Sequence, residues 1–135
     1  MPETVNGRLE TEQPGLAQLP WRMLLTPPLS GPENMGCDVA LMERARNSGE
    51  AILRVYSWSA PTLSFGRNQH TEGYKRGGLA KAGIEVVRRP TGGRAILHHR
   101  EITYSVTAPA ESGGSIAAEY QWINELLLDA LRSLG

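Results

Sequence analysis

VVRRPTGGRAILHHREITYSV, residues 86–106, is the most informative segment of this chain. Two arginines close a β-rich run, a Gly-Gly pair follows Pro90, and a second β-rich run begins after it. No acidic residue lies between Glu85 and Glu101, and the basic or titratable side chains there are Arg88, Arg89, Arg94, His98, His99 and Arg100. Glycine N–H groups that a ligand can approach closely, next to guanidinium groups, suit an anion. The stretch therefore predicts two strands around an anion-binding turn.

A purely structural interpretation of the same residues stays open. Thr91-Gly92-Gly93 fits the tight turn of a β-hairpin whose basic side chains are simply solvated. Alternation along the second strand predicts that Arg94, Ile96 and His98 share one face. No Gly-Lys-Ser/Thr follows the glycines and no GxGxxG opens a helix, so the sequence indicates neither a P-loop nor a dinucleotide-binding fingerprint.

Hydrophobic periodicity predicts strands and helices on both sides of this stretch. The predicted strands are 21–25, 51–58, 62–65, 84–89, 94–99 and 101–106, the last two being either separate strands or one strand bent near Arg100. The predicted helices are 35–47, 79–82 and 115–134. Asn34 is the predicted N-cap of the first helix. The apolar face of that helix is predicted to be Met35, Val39, Met42 and Ala45, and that of the last helix Ile116, Tyr120, Ile123, Leu127, Leu131 and Leu134. Strands clustered between helices predict an α+β domain with a mostly antiparallel sheet and flanking helices.

Composition narrows the function classes. The chain has 135 residues, with 14 Lys plus Arg and 14 Asp plus Glu, which gives no electrostatic case for nucleic acid or an anionic membrane. No apolar run approaches the roughly 20 residues of a membrane helix. Residues 1–19 lack the features of a signal peptide and are predicted to be a disordered N-terminal tail. The single cysteine, Cys37, favours a cytoplasmic location.

RRPTGGRAILH, residues 88–98, resembles the signature of the lipoate–protein ligase and octanoyltransferase family, within the biotin/lipoate ligase superfamily. Asn34-Met35 with Asp38, the segments 53–58 and 62–69, and the strand 101–106 resemble further motifs of this family in the same order. The resemblance implies a biotin/lipoate ligase-like, class II synthetase-like fold. It implies that residues 20–135 are the N-terminal part of a catalytic domain and that this domain is truncated.

The resemblance also implies an acyl-binding site. The residues it assigns to that site are Trp58, Arg89, Thr91, Gly92, Gly93, Arg94, Ile96, His98 and Asp38. The turn and Arg89 would hold the acyl carbonyl and its activating group, Ile96 and Trp58 would line the slot for an eight-carbon chain, and His98 would lie beside the reacting centre. Each residue has a structural alternative: Trp58 fits a core position, His98 fits a pairing within a strand, and Asp38 fits a local cap.

Three departures from the family pattern shape the expected reaction. Arg94 stands where ATP-using ligases have a third glycine and where the octanoyltransferase branch commonly has arginine. His99 stands where the family often has aspartate. The family's essential lysine, and the nucleophilic cysteine of the octanoyltransferase branch, would lie beyond the last predicted helix. Cys37 occupies an unremarkable family position and is expected to be a buried helix residue. No catalytic residue and no metal ligand is therefore assigned in this chain.

The implied function is octanoyl or lipoyl transfer from acyl carrier protein to a lysine of a lipoyl domain, such as the glycine cleavage H protein or a 2-oxoacid dehydrogenase E2. That reaction needs no cofactor, and a C-terminal partner subunit is expected to complete the site. The alternatives are half of an ATP- and Mg-dependent lipoate ligase, a non-catalytic lipoate- or octanoate-binding module, and a biotin ligase relative. A nucleic-acid surface along residues 88–100 is the most distant alternative. Missing strands are expected to leave an open sheet edge that favours self-association.

Overall fold

The computed structural model describes residues 15–110 and 115–135. The chain forms two compact units, one of which is Pro20–Pro109. The elements of that unit are β1 (Trp21–Leu25), α1 (Gly31–Ser48), β2 (Ala51–Tyr56), β3 (Thr62–Phe65), α2 (Arg76–Lys81), β4 (Glu85–Arg88), β5 (Ile96–His98) and β6 (Thr103–Thr107). The other unit contains, among the described residues, 15–19, 110 and 115–135.

The strands of the larger unit form two three-stranded sheets, in the orders β1-β2-β6 and β4-β3-β5. β1 pairs with β2 and β3 pairs with β4 in parallel, whereas β2–β6 and β3–β5 are antiparallel. The α+β class with small sheets and helices is confirmed. The sheets are mixed rather than mostly antiparallel, because α1 and α2 each form the crossover that a parallel pair of neighbouring strands requires.

The Gly-Gly turn does not close a hairpin, so the structural interpretation of residues 88–100 is wrong. β3 lies between β4 and β5, with Thr62 opposite Glu85 on one side and opposite His98 on the other. The segment between β4 and β5 therefore passes over the end of β3. β5 is shorter than predicted, and Arg100, at φ 52°, separates it from β6, which belongs to the other sheet.

Helix α1 begins four residues earlier than predicted. Ser30, not Asn34, is its N-cap: the Ser30 hydroxyl accepts a bond from Glu33 N, and the Glu33 carboxylate accepts one from Ser30 N. Pro32 in the first turn suits this start, and Gly49, at φ 72°, ends the helix. The predicted apolar face is partly wrong, because Val39 is 54% exposed. The buried side of α1 is Gly31, Asn34, Met35, Asp38 and Ala45.

The buried apolar side chains of the larger unit are Met35, Ala45, Ala51, Ile52, Tyr56, Trp58, Leu63 and Phe65. Met35, Tyr56 and Trp58 pack together, with Val87 of β4 against them. Because α1, the end of β2 and β4 meet in this cluster, it fixes the position of the segment that follows β4.

The other unit contains a single turn of 3-10 helix at Leu16–Gln18 and helix α3 (Ile116–Arg132). Residues 1–14 of the predicted tail lie outside the described residues, while its last residues have regular structure with Leu16 buried. Ser115 caps α3 through Ala118 N. On its predicted apolar stripe, Ile116, Tyr120 and Leu131 are at least 65% exposed. None of the helices in the described parts of the chain is sufficiently long and apolar to cross a membrane.

Candidate functional site

The turn at residues 91–94 is exposed, and three of its carbonyl groups accept hydrogen bonds from the protein. Thr91 O accepts a bond from Arg67 N at 2.8 Å, and Arg89 Nη2 donates to Gly92 O and Arg94 O at 3.0 and 2.9 Å. Within residues 15–110 and 115–135, no acceptor pairs with the N–H group of any of the four turn residues. Gly93 has φ 99°, a conformation that favours glycine. The turn therefore leaves its N–H groups available to an anion or a carbonyl oxygen.

The two arginines at the end of β4 support loops instead of pointing free guanidinium groups at a ligand. Arg88 Nη1 donates to Gly66 O at 2.6 Å and Gln69 O at 2.9 Å, which holds the loop after β3. Arg89 Nη1 donates to the carbonyl oxygen of Ser64 at 2.8 Å and to its Oγ at 2.6 Å. With the two bonds to the turn, all four N–H groups on the terminal nitrogens of Arg89 are used. Burial lowers the pKa of the Arg89 guanidinium.

Gly66 allows the loop after β3 to approach the turn. A Cβ atom at Gly66 would lie 1.9 Å from the carbonyl oxygen of Gly93, far inside van der Waals contact. The loops that begin at Gly66 and at Pro90 therefore form one surface. Sequence reasoning placed Gly66 in a loop but did not connect it to the turn, because nothing in the sequence links two backbone segments that meet in space.

His98 is buried below this surface with both ring nitrogens engaged. Its Nε2 lies 2.7 Å from Ser64 Oγ, and its Nδ1 lies 2.6 Å from Glu101 Oε1. Trp58 stacks on the imidazole with ring centroids 4.1 Å apart and donates from Nε1 to Thr103 Oγ1. The sequence placed Ser64 and Glu101 within family-like strand segments, and neither residue was assigned to the site.

Asp38 lies in a separate buried cluster. It accepts bonds from Arg54 Nη1 at 3.0 Å, Ser105 Oγ at 2.8 Å and the Tyr56 hydroxyl at 3.2 Å. Burial, and then the nearby Asp38 carboxylate, raise the pKa of Tyr56, so its phenol remains a donor at neutral pH. The Tyr56 ring lies 5.6 Å from that of Trp58, which connects the cluster to His98.

The structure thus brings together part of the predicted site. Arg89 and the turn 91–94 form one unit, and His98 joins it through Ser64. Trp58 is a core residue that covers His98, whereas Ile96 on the same strand as His98 is 47% exposed. Cys37 lies partly buried in α1. Among the described residues, no group of three or more His, Cys, Asp or Glu side chains is arranged to hold a metal ion.

Comparison with known proteins identifies the family. The model of the lipoyl protein ligase A/B catalytic domain matches residues 30–135, most of the chain. The chain belongs to this family. The match includes α1, the turn 91–94 and α3, and it confirms the family that the signature at residues 88–98 indicates.

Relatives within the family include both transferases and ligases. The chain is 42% identical over 120 residues to octanoyltransferase LipM of Carboxydothermus hydrogenoformans, covering 85% of this chain and 45% of that one. The structure of a bipartite lipoate protein ligase with its E2 lipoyl domain, from Thermoplasma acidophilum, matches with a TM-score of 0.73 at 26% identity, covering 87% of this chain and 47% of that one. The structure of lipoate-protein ligase A bound with ATP matches with a TM-score of 0.71 at 27% identity, covering 87% and 48%. The chain spans less than half the length of these relatives.

Proposed function

We propose that this chain is the N-terminal part of an octanoyltransferase catalytic domain, which moves an octanoyl group from acyl carrier protein to a lysine of a lipoyl domain. The observation that carries the proposal is the exposed turn 91–94. Arg89 and Arg67 hold three of its carbonyl groups, and its N–H groups are left for a ligand. Preorganised N–H donors stabilise the oxyanion that forms during acyl transfer. The likeness to octanoyltransferase LipM supports transfer rather than another use of this turn.

In the proposed reaction this chain binds the acyl group, and the remaining part of the domain supplies the nucleophile. A cysteine thiolate attacks the octanoyl thioester, and the carrier's thiolate leaves. The amine of the target lysine then attacks the new thioester, which forms the amide and releases the cysteine. The N–H groups of the turn donate to the carbonyl oxygen in both steps. Residues 20–135 form the proposed N-terminal part of the domain, and the cytoplasm is its proposed location.

The site residues divide by role in this proposal. Thr91, Gly92, Gly93 and Arg94 bind the acyl oxygen, and Arg89 holds their backbone in place. Ile96, which is 47% exposed, lines the alkyl slot. Trp58 and Asp38, which are 8% and 7% exposed, support the site from below.

ATP-dependent lipoate ligation is the second candidate. Its support is the match to lipoate-protein ligase A bound with ATP, which has nearly the same TM-score as the other matched structure. In that reaction the same N–H groups would hold the carbonyl of an activated acyl group, and ATP with Mg would be consumed. The turn geometry suits both reactions, so they are distinguished by which acyl donor the protein uses.

The test follows the mass of an apo lipoyl domain. The purified chain is incubated with octanoyl–acyl carrier protein, alone and with a separately produced C-terminal part of LipM from Carboxydothermus hydrogenoformans. We expect a gain of one octanoyl group only when both parts are present and without ATP. A gain with the chain alone would overturn the need for a second part. A gain that requires free octanoate or lipoate, ATP and Mg would establish the ligase instead.

A positive control makes a negative result informative. The same C-terminal part is combined with the N-terminal part of its own LipM, which shares 42% identity with this chain. If that pair transfers octanoate and the pair with this chain does not, under any donor condition, the chain is not an octanoyltransferase half. Tight binding of free lipoate would then identify it as an acyl-binding module.

A further inference from the structure

Four side chains form one continuous row of hydrogen bonds from the turn to the surface. Arg89 Nη1 lies 2.6 Å from Ser64 Oγ, Ser64 Oγ lies 2.7 Å from His98 Nε2, and His98 Nδ1 lies 2.6 Å from Glu101 Oε1. The Ser64 side of the row is fully buried, whereas the Glu101 side chain is 39% exposed. The other terminal nitrogen of Arg89 holds Gly92 O and Arg94 O. The row therefore links a surface carboxylate to the backbone of the proposed acyl site.

The direction of each bond follows from which atoms carry protons. A guanidinium can only donate, so Ser64 Oγ accepts from Arg89. Among the bonds of the described residues, His98 Nε2 is the acceptor available to the Ser64 proton. With Nε2 unprotonated every proton in the row has an acceptor, because the ring proton of neutral His98 then lies on Nδ1 and is donated to the Glu101 carboxylate. The row thus specifies one of the two neutral forms of His98.

The three side chains have the connectivity of a Ser–His–acid triad, but Ser64 is not placed to act as a nucleophile. Ser64 is 0% exposed and lies in β3, the middle strand of its sheet, with β4 and β5 on its two sides. An acyl carbonyl has no route to its oxygen. The arrangement consequently serves to hold groups in place and not to form a covalent intermediate.

Packing also restricts the orientation of the His98 imidazole. Trp58 covers one face of His98 with an interplanar angle of 13°, and its own indole N–H is bonded to Thr103 Oγ1 at 2.8 Å. His98 stands opposite Thr62 in the β3–β5 pairing. Because the ring plane and both nitrogens are fixed, His98 transmits the position of Glu101 to Ser64 and Arg89.

We infer that Ser64 and Glu101 are positioning residues, which hold His98 as its Nδ1–H tautomer and hold Arg89 against the turn 91–94. The importance of this role for acyl transfer rests on the proposed function. The His98 tautomer and the turn conformation are independent of the proposed function, because both are properties of the resting chain and can be measured without any reaction.

The test is long-range ¹H–¹⁵N NMR of the full chain with ¹⁵N-labelled histidine. The chain has 3 histidines, and His98→Gln assigns the His98 signals by their loss. We expect neutral His98 to show a protonated Nδ1 and an unprotonated Nε2. Averaged shifts for His98, or a protonated Nε2, in the unmodified chain would overturn the assignment without any variant having to fold.

Variants then test the two positioning residues. Glu101→Ala and Ser64→Ala are each expected to bring the two His98 nitrogen shifts together and to move the amide signals of Gly92 and Gly93. Glu72→Ala is the matched control, since Glu72 lies 3.6 Å from exposed His70 and is expected to leave His98 unchanged. Unchanged His98 and turn signals in folded Ser64→Ala and Glu101→Ala would remove the positioning role. Labelling of Ser64 by a fluorophosphonate, seen by intact mass, would identify a nucleophile instead.

Discussion

Arg54 of β2 is a buried charge, because its side chain is 0% exposed and its guanidinium contacts α1. Its partners are Asp38 Oδ1 at 3.0 Å, Asn34 Oδ1 at 2.6 Å, Asn34 O at 3.1 Å and Thr26 Oγ1 at 3.1–3.2 Å. Burial of a charge is tolerated only when it is paired and fully hydrogen-bonded. The cluster therefore explains why α1 carries an amide and a carboxylate on its buried side.

Arg54→Leu is expected to destabilise the chain by about 3–5 kcal/mol, because it leaves the Asp38 carboxylate buried without its counter-charge. The measurement is the free energy of unfolding by urea. Arg46→Ala is the control, since Arg46 and Glu43 form an ion pair with side chains 65% and 64% exposed. Loss of such a pair is expected to cost no more than about 0.5 kcal/mol. Equal losses in the two variants would contradict the structural role of the cluster.

Gly93 provides a residue-scale test of the proposed acyl site. Its φ of 99° strains any side chain, and a Cβ atom there would lie 3.3 Å from Arg89 Nη2. Gly93→Ala is therefore expected to shift the turn and to slow octanoyl transfer by the completed domain about tenfold or more, as loss of an oxyanion donor does. The initial rate of mass gain on the lipoyl domain measures it.

Gly73→Ala is the matched control for Gly93→Ala. Gly73 also has a positive φ, 95°, but a Cβ atom there meets nothing within 4 Å. Both variants are expected to lose about 1 kcal/mol of stability from backbone strain, while Gly73→Ala retains the transfer rate. If the two variants slow transfer equally, the effect of Gly93→Ala is one of stability and not of the turn.

Local sequence patterns predicted most of the strands, but they did not predict which strands pair with each other. β1 and β3 have the predicted bounds, because alternating and β-branched residues between turn signals are local features. The position of β3 between β4 and β5 depends on contacts between distant segments, so the same turn signal was equally compatible with a hairpin. The face of α1 was misjudged for a related reason: Asn34 and Asp38 are buried because of Arg54, 16 or more residues away.

The start of α1 is expected to make the stability of the chain depend on pH. Two bonds from Ser30, first from its hydroxyl and then from its backbone N–H, lower the pKa of Glu33 below its ordinary value of 4.5. A group whose pKa is lower in the folded state adds stability above its unfolded pKa and loses that contribution as the pH falls through the folded value. Glu33→Gln is thus expected to be less stable than the unmodified chain at neutral pH, and the difference is expected to shrink as the pH falls below 4.5 and through the lower pKa of folded Glu33.

Ser30→Ala separates this charge effect from the cap itself. The Ser30 hydroxyl accepts from Glu33 N at any pH, so its loss is expected to cost about 1 kcal/mol at neutral pH and to retain part of that cost in acid. Urea unfolding of the two variants across the pH range distinguishes them. A Glu33→Gln difference that stays constant with pH would show that the carboxylate contributes no charge-dependent stability.

For the molecule as a whole, the motif at residues 88–98 indicated the family. The hydrogen bonds that hold the site together could not be predicted from the sequence. The turn 91–94 was predicted because its glycines are visible in the sequence. The hydrogen bonds of Arg88 and Arg89 were not predicted, because their acceptors are mostly backbone carbonyl groups, which every residue carries. The Ser64–His98 contact joins residues 34 apart and has no local signal.

The exposed face of the β1-β2-β6 sheet is apolar. Within the described residues β1 pairs only with β2, and Met23 and Leu25 on β1 are 66% and 69% exposed. Val55 separates Leu25 from Tyr104 of β6, which is 44% exposed, so apolar side chains continue across the sheet. We expect the chain to self-associate through this face as its concentration rises, because an exposed apolar face favours association.

Leu25→Lys is expected to raise the concentration at half-association about tenfold or more, since burying a leucine contributes about 1.5–3 kcal/mol. Sedimentation velocity over a range of protein concentrations measures the change. Val39→Lys is the matched control, because Val39 is also an exposed apolar residue, at 54%, but lies on α1. A monomer at all concentrations, or an equal effect of the two lysines, would mean that this sheet face does not mediate association. Association that disappears when the C-terminal part of LipM is added would instead show that the face becomes covered in the completed domain.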